Sequence, residues 1–395
     1  MLGYRKKAFG QAFDYCHALK NDPSDLVTLL NFQELLLFEI QRAQTKIRSL
    51  KTERKSLLMT EEYERRLDYL DHRIDRVRQV VYVWKCFGDA IAFIYLDRFS
   101  LKQTYYNTHN VNVKQDAGFL IDKEGTELEL TILRTILTKG IPCLLCDITD
   151  TIRYGDICLL NGDDPSFIEV KSSRKKDRRG IRQLRRLRKL SNFYTTDEAL
   201  DFRGVNKAVR TTLQEQIKCH SKKLNDCIQE AIHQGNAHAH PEEGLYILVS
   251  RDGSKFKQEL EKVPLSEKTI VFSFNSMKSE RVWAPFYPFT LLINSKEALY
   301  DFIRGDLFIL VFLDMNIVAQ EINELGYQCE INLEKDFPLK VFREGSEAHM
   351  NVGHLVNRCG MEVLSPKWLA NITVSRFNNL IAQISKEEEQ ISKEA

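Results

Sequence analysis

Apolar residues recur at helical intervals over the first quarter of the chain. Leu36, Ile40, Ala43, Ile47, Leu50 and Leu57 fall on one stripe, with Arg54 interrupting it. Leu67, Leu70, Ile74, Val77, Val81 and Trp84 form a second stripe without a break. Their spacings of three and four residues are those of a coiled-coil seam. Residues 24 to 97 therefore read as two long helices. Met59-Thr60-Glu61-Glu62 joins them, with Thr60 as the N-cap of the second, and Ser24, after Pro23, caps the first. The short connection makes the pair an antiparallel hairpin. Two helices alone bury a narrow core, so the seams either satisfy each other or also dock a protein partner or a second copy.

A polar, irregular stretch follows at 98–122, with Asn107, His109, Asn110 and Gly118. The pattern then changes to helix, strand, strand, strand, helix. The first helix opens at Gly125, presents Ile132, Leu133, Ile136 and Leu137, and ends near Gly140, a C-cap. Ile141–Cys146 is an apolar run, and Tyr154–Leu160 is another, broken by Asp156. Asn161-Gly162-Asp163-Asp164-Pro165 is a turn signal, so Phe167–Lys171 returns as the second strand of a hairpin. Beyond Gly244, Leu245–Val249, Thr269–Phe274, Phe289–Ile293 and Leu307–Leu313 read as strands. Lys296–Arg304 and Ile317–Leu325 read as helices, and the charged tail Ser385–Ala395 frays. The expected division is 1–110, 111–255 and 256–395.

Composition adds little until it is mapped. Apolar content of 43% and charged content of 28% are those of a globular protein. The net charge of +2 hides a concentration: Lys171–Lys189 holds eleven Lys or Arg and one acid, Asp177, so the rest of the chain is net acidic. A basic segment on an acidic body predicts one dedicated surface for an anion. Nine scattered cysteines, an odd number, argue against a disulfide framework. Cys143 and Cys146 lack two further zinc ligands nearby and read as buried strand residues. No signal peptide or membrane-length apolar run is visible, which predicts a cytoplasmic protein.

The chemistry concentrates between Gly125 and Tyr194. Side chains alternate along a strand, so Glu169 and Lys171 share a face while Ile168 and Val170 point away. Asp156 sits on the partner strand, where the hairpin can bring it beside Glu169; the sequence does not fix the register of the turn. Two acids and a lysine are costly as core residues but suit a divalent cation. Asp156 and Glu169 offer hard oxygens to Mg²⁺ or Mn²⁺, and the Val170 carbonyl a third. Lys171 would position water or stabilise charge on a phosphate. Glu129, near the start of the first helix, is a further metal ligand. Glu127 competes with it, but Glu129 has the better helical phase relative to Ile132 and Leu133. On the following helix Gln183, Leu187, Leu190 and Tyr194 share one face, so Gln183 is expected to point inward. The arginines around it suit a phosphate backbone.

Other features read as structural. His233, His238 and His240 lie in a solvated loop rather than a second metal site, and Asp147 and Asp150 flank a strand end as turn residues, the alternative being that one of them supports the metal ligands. Asp163 and Asp164 belong to the turn. No Gly-rich phosphate loop, GxSxG or HExxH is present.

Together these residues resemble the PD-(D/E)xK nuclease superfamily, the restriction-endonuclease-like fold, over 125–194. The acid, the spacer and the acid–x–Lys triplet are Asp156, twelve residues, and Glu169-Val170-Lys171. Gln183 matches a glutamine that many members carry. Gly125, Leu128, Glu129 and Gly140 match their opening helix. Gly155 departs from the proline of the name, at a position where the family varies. The resemblance implies an α/β core, a mixed sheet flanked by helices; the pattern on either side of it adds the N-terminal helical hairpin and a C-terminal α+β region. It implies Mg²⁺-dependent phosphodiester hydrolysis, with Gln183 orienting Lys171 or water. DNA is the implied partner, RNA not excluded, held by Arg182, Arg185, Arg186, Lys175 and Arg178. The implied role is an effector subunit in defence or genome maintenance. The alternatives are an inactive nuclease fold that binds nucleic acid or assembles a complex, and a protein whose hairpin is the working part.

Overall fold

The structure is a computed structural model. It describes residues 5–57, 61–116, 118–123, 125–171, 178–210, 216–251, 253, 256–344 and 348–394. The helices α1 (Lys6–Asn21), α2 (Leu26–Lys55), α3 (Glu61–Tyr95) and α4 (Arg98–Tyr105) come first. Next are α5 (Thr126–Thr138), β1 (Cys143–Leu145), β2 (Ile157–Leu159), β3 (Ser166–Ile168), α6 (Arg178–Thr196), β4 (Glu198–Phe202) and β5 (Val205–Val209). Then follow α7 (Ser221–Gln234), β6 (Asn236–Glu242), β7 (Leu245–Ser250), α8 (Phe256–Leu260), β8 (Thr269–Ser273), α9 (Phe274–Ser279), α10 (Phe289–Leu292) and α11 (Lys296–Arg304). The chain closes with β9 (Phe308–Asp314), α12 (Met315–Glu324), β10 (Gln328–Ile331), β11 (Leu339–Phe342), β12 (His349–Val352), α13 (His354–Met361) and α14 (Pro366–Glu394).

Two compact units result, one of 1–210 with 279–304 and the other of 211–278 with 305–395. They cut across the expected three-part division. The reason in the first unit is that the helical hairpin does not stand apart from the strands. Gln33 of α2 donates to the Cys143 carbonyl and accepts from Leu145 N–H, both at 2.9 Å, acting as an extra partner for β1. Gln44 accepts from Leu120 N–H at 2.8 Å. Asp89 of α3 accepts from Asp150 and Thr151 N–H at 3.0 and 2.8 Å. Gly88 lets α3 press on this loop, because a Cβ there would strike the Ile148 carbonyl.

Helices α2 and α3 pack together, with Leu36, Ile40, Ala43, Ile47 and Leu50 of one stripe and Leu70, Ile74, Val77 and Trp84 of the other buried, while Leu57, Leu67 and Val81 are half-buried. From Tyr82 to Phe93 the second helix is buried on all sides, as a helix enclosed by neighbours must be. Phe9 of α1 stacks on Trp84 at 4.2 Å. Tyr82 accepts from Trp283 N–H at 3.0 Å, and Thr290 of α10 donates to the Cys86 carbonyl at 3.1 Å. Asp25, not Ser24, caps α2, accepting from Thr28 N–H, while Ser24 turns back to Asp22. The expected cap Thr60 lies outside the described residues.

The meander β1–β2–β3 is antiparallel throughout. The strand after α6 does not join it. It pairs with β5 in a hairpin of its own, so the mixed sheet expected of a restriction-endonuclease-like core is absent among the described residues. What holds is a mixed α and β architecture with small antiparallel sheets.

In the second unit β6, β7, β9 and β8 form an antiparallel sheet in that order, with nearly all of β7 and much of β9 buried. Asn236–Glu242 is an edge strand rather than the expected loop. Pro241 sits where its register shifts, the position in which a sheet tolerates proline. Phe289–Ile293, expected as a strand, is a helical turn capped at Pro288. A short apolar run leaves helix and strand undecided. Helix α14 runs to Glu394, through the tail expected to fray. Among the described residues no helix is long and apolar enough to cross a membrane, and the nine cysteines are free.

Glu242 fastens the ends of this unit to β6. Its carboxylate accepts from Ser365 Oγ at 2.5 Å, Lys218 Nζ at 2.9 Å and Lys367 N–H at 3.2 Å, and lies 2.9 Å from His220 Nε2. Burial pushes this carboxyl up, but those hydrogen bonds outweigh it and hold it at about 2. A folded pKa below the unfolded one contributes stability above the unfolded value, lost as pH falls through the folded one. Glu242→Gln is expected to cost on the order of 1–3 kcal/mol at neutral pH, the difference from wild type closing between about pH 5 and pH 2 in denaturant titrations. A pH-independent difference would contradict the assignment.

Candidate active site

The meander brings the expected acids together at one end of its sheet. Ile157 pairs with Ile168, so Asp156 and Glu169 are the next positions outward, just past the ladder. Asp156 N–H donates to the Ile168 carbonyl at 3.0 Å, and Val170 N–H donates back to Asp156 Oδ2 at 2.8 Å. The carboxylate is thereby fixed to the opposite strand. Gly155 makes the turn into this position. Its φ is +71°, and a Cβ on it would lie 3.0 Å from that of Phe167. Proline holds φ near −65°, which accounts for glycine at the place where the resembled family name has proline.

Two further acids converge on this strand end. Cys146 N–H donates to the Asp156 carbonyl at 2.9 Å, which seats the turn Cys146–Ile148 and its Asp147 beside the strand. Glu129 enters from the first turn of α5 and is buried, whereas Glu127 is exposed. Of the two candidates, Glu129 is therefore the one that faces the site. Between the acids stands Lys123. Its ammonium bonds Asp147 Oδ2 and lies 3.7 Å from Asp156 Oδ1 and 3.8 Å from Glu129 Oε1.

The electrostatics follow from burial and crowding. Burial lifts Glu129 to about 7, with Lys123 opposing and Asp156, Asp147 and Glu169 adding to the rise. Asp156 is raised by burial despite the Val170 N–H and Lys123. Glu169 is raised by burial and by Asp156, against Lys171, Lys114 and Lys123. For Lys123 burial disfavours the charge, but Asp147, Glu129 and Asp156 prevail and hold it above its ordinary range. One ammonium thus serves more negative charge than it can neutralise.

The remaining expected residues are less closely gathered. Lys171 is exposed beyond β3, and Gln183 is exposed on α6 rather than turned inward. The inward stripe begins later: Leu187, Leu190 and Tyr194 pack with Tyr154, Phe193 and Phe202. Arg182 and Arg185 are exposed, and Arg186 is half-buried. Arg186 is close enough to Lys114 to help, after burial, push that ammonium's pKa down. Lys175 lies outside the described residues, as does the side chain of Arg178. The three histidines do not converge: His233 ends α7, His240 stacks on Tyr246 at 4.3 Å, and His238 lies 3.8 Å from Glu259.

Lys123 was not legible as a site residue, and Asp147 was legible only as a turn residue with a supporting role as the alternative. Their signals are a lysine two residues before the helix-opening Gly125 and an acid directly after an apolar strand, both commonplace alone. Among the described residues no three His, Cys, Asp or Glu side chains are spaced to hold a metal ion. The donor set nevertheless suits a hard divalent cation in type and charge, and the Lys123 ammonium fills the space between three of the carboxylates. No family model matches the chain, and neither a curated protein nor a solved structure matches it.

The close turn at Gly155 predicts an asymmetry between two glycines of the same hairpin. Gly155→Ala should lose about 1–2 kcal/mol, the cost of a left-handed conformation for an L side chain. Gly162, with nothing within 4 Å of a built Cβ, should tolerate alanine. Equal melting temperatures for the two variants would show that the turn into Asp156 is not constrained as described.

Proposed function

We propose that the chain is a metal-dependent nuclease that hydrolyses phosphodiester bonds, in DNA before RNA. The reading is carried by one observation: the carboxylates Glu129, Asp156 and Glu169, each raised by burial, gather with Asp147 at the end of the meander, next to the basic helix α6. Glu129, Asp156 and Glu169, with the Val170 carbonyl, are the groups that would hold Mg²⁺ or Mn²⁺. A cation bound there supplies charge to the scissile phosphate and acidifies water. Lys171, on the solvent side of Glu169, positions the attacking water or stabilises charge developing on phosphate. Gln183, exposed on α6, takes no part in this site. Arg182, Arg185 and Arg186 take backbone phosphates, with Lys175 and Arg178 extending the same basic segment. Nine free cysteines suit a reducing compartment such as the cytoplasm, and an effector role in defence or genome maintenance is compatible with this chemistry.

A second reading rests on Lys123. An internal ammonium among the acids also suits a nucleic-acid-binding protein that does no chemistry. Cleavage of supercoiled plasmid and single-stranded DNA, with Mg²⁺ or Mn²⁺ against EDTA, separates the two. The nuclease is expected to cut only with metal, and Lys171→Ala to slow it by about 10²-fold or more. Equal cutting by wild type and variant removes Lys171 from the mechanism. Absence of cutting by wild type favours the binding protein.

A further inference from the structure

Helix α6 has a second face that the acid cluster does not use. Leu187, Leu190 and Tyr194 turn into the core, while Arg185, Arg188, Lys189 and Asn192 fall three, four and seven residues along on another side. These four form one wall of an open groove of about 740 Å³. The facing wall is the β4–β5 hairpin, which contributes Asn206, and His109 lines the groove from the loop after α4.

Both walls are held in place. Phe202 of the hairpin stacks on Phe193 of α6 with ring centroids 4.6 Å apart. Arg203 N–H donates to the Thr108 carbonyl at 3.1 Å, and its guanidinium to the Gln103 carbonyl at 2.8 Å. Arg210 bonds Asp197 at 2.6 Å where the hairpin begins. The groove is therefore preformed, and a ligand would meet it without the cost of ordering it.

Its potential is positive. Arg185, Arg188 and Lys189 face one acid, Asp201, whose backbone carbonyl accepts from Lys189. The imidazole of His109 reports the field: burial lowers its pKa, and Arg186, Lys189 and Arg185 lower it further. The lining also excludes some ligands. Among the described residues it holds no Phe, Tyr or Trp ring, whereas sites that take single strands without sequence preference stack bases on aromatic rings. Cations with neutral amides are what phosphate and sugar oxygens engage.

We propose that this groove holds the sugar–phosphate backbone of duplex DNA, through Arg185 and Arg188 on the helix and Asn206 on the hairpin. It deepens the nuclease reading by naming the form of the substrate. Its test is run without metal, so that the two fail separately.

The test is fluorescence anisotropy of a labelled DNA duplex, and of one of its strands alone, in EDTA over a salt series. Wild type is expected to bind the duplex more tightly, with log K falling linearly in log salt. Arg185→Ala with Arg188→Ala should weaken binding about tenfold or more and reduce the slope by about two, one for each phosphate contact removed. Asn206→Glu, on the opposite wall and away from α6, should weaken it as well, with the circular dichroism melt of each variant unchanged. Tighter binding of the single strand, no salt-dependent binding by wild type, or an unchanged slope in the double variant would each overturn the proposal. So would normal binding by Asn206→Glu, which would leave the phosphates to the helix alone. Duplex binding without cleavage once Mg²⁺ is added would overturn the nuclease reading and leave the groove standing.

Discussion

Three carboxylates from three separate stretches of chain meet at one ammonium. Asp147 follows β1, Asp156 precedes β2 and Glu129 starts α5, and each is within ion-pair distance of Lys123. Burying that much like charge is unfavourable unless it is paired. With Lys123 alone the pairing is incomplete, and Glu129 is displaced to about 7, chiefly by burial, as a consequence. The end of the meander is thus a place where packing has been achieved at the expense of electrostatics. Such sites are where function is most often found.

Order at this site comes from the helical hairpin. Gln33 completes the edge of β1, Gln44 holds the backbone three residues before Lys123, and Asp89 ties down the loop between Asp147 and Asp156. Buried side-chain amides and carboxylates that satisfy backbone donors in this way fix position as well as polarity. The hairpin is consequently a scaffold for the acid cluster within a single unit, which explains why no boundary falls between the two. Charge is then distributed around α6: the half-buried Arg186 bears on Lys114 and Tyr154, and Arg185 and Arg188 line a separate groove.

Periodicity revealed the elements whose burial is one-sided. The stripes of α2 and α3, the inward residues Leu187, Leu190 and Tyr194, and the strand–turn–strand around Asn161–Pro165 are legible because each apolar position has one destination. The turn at Asn161–Pro165 showed that Asp156 and Glu169 belong to one hairpin, but not its register; the pairing of Ile157 with Ile168 sets that, and both acids lie just beyond the paired residues. What stayed hidden depended on contacts distant in sequence. Lys123 and Asp147 are ordinary polar residues until the Cys146–Asp156 hydrogen bond and the Gln44 contact bring their segments together. The pairing partner of β4 was equally invisible, since nothing local tells a strand whether to join an existing sheet or form a hairpin. Phe289–Ile293 and Asn236–Glu242 were misread for a simpler reason: a short apolar run and a His-Ala-His-Pro stretch do not identify their own conformation.

We propose that the acid cluster would take a divalent cation, with Lys123 as its internal counter-ion when no cation is bound. The most direct measurement is Mn²⁺ binding by isothermal titration calorimetry to wild type, Lys123→Gln and Asp156→Asn, without nucleic acid. Removing the ammonium should tighten Mn²⁺ binding by about tenfold or more, since an opposite charge close to the ligands is lost, and Asp156→Asn should weaken or abolish it. Mn²⁺ affinity unchanged in both variants, or absent even in Lys123→Gln, would contradict the account.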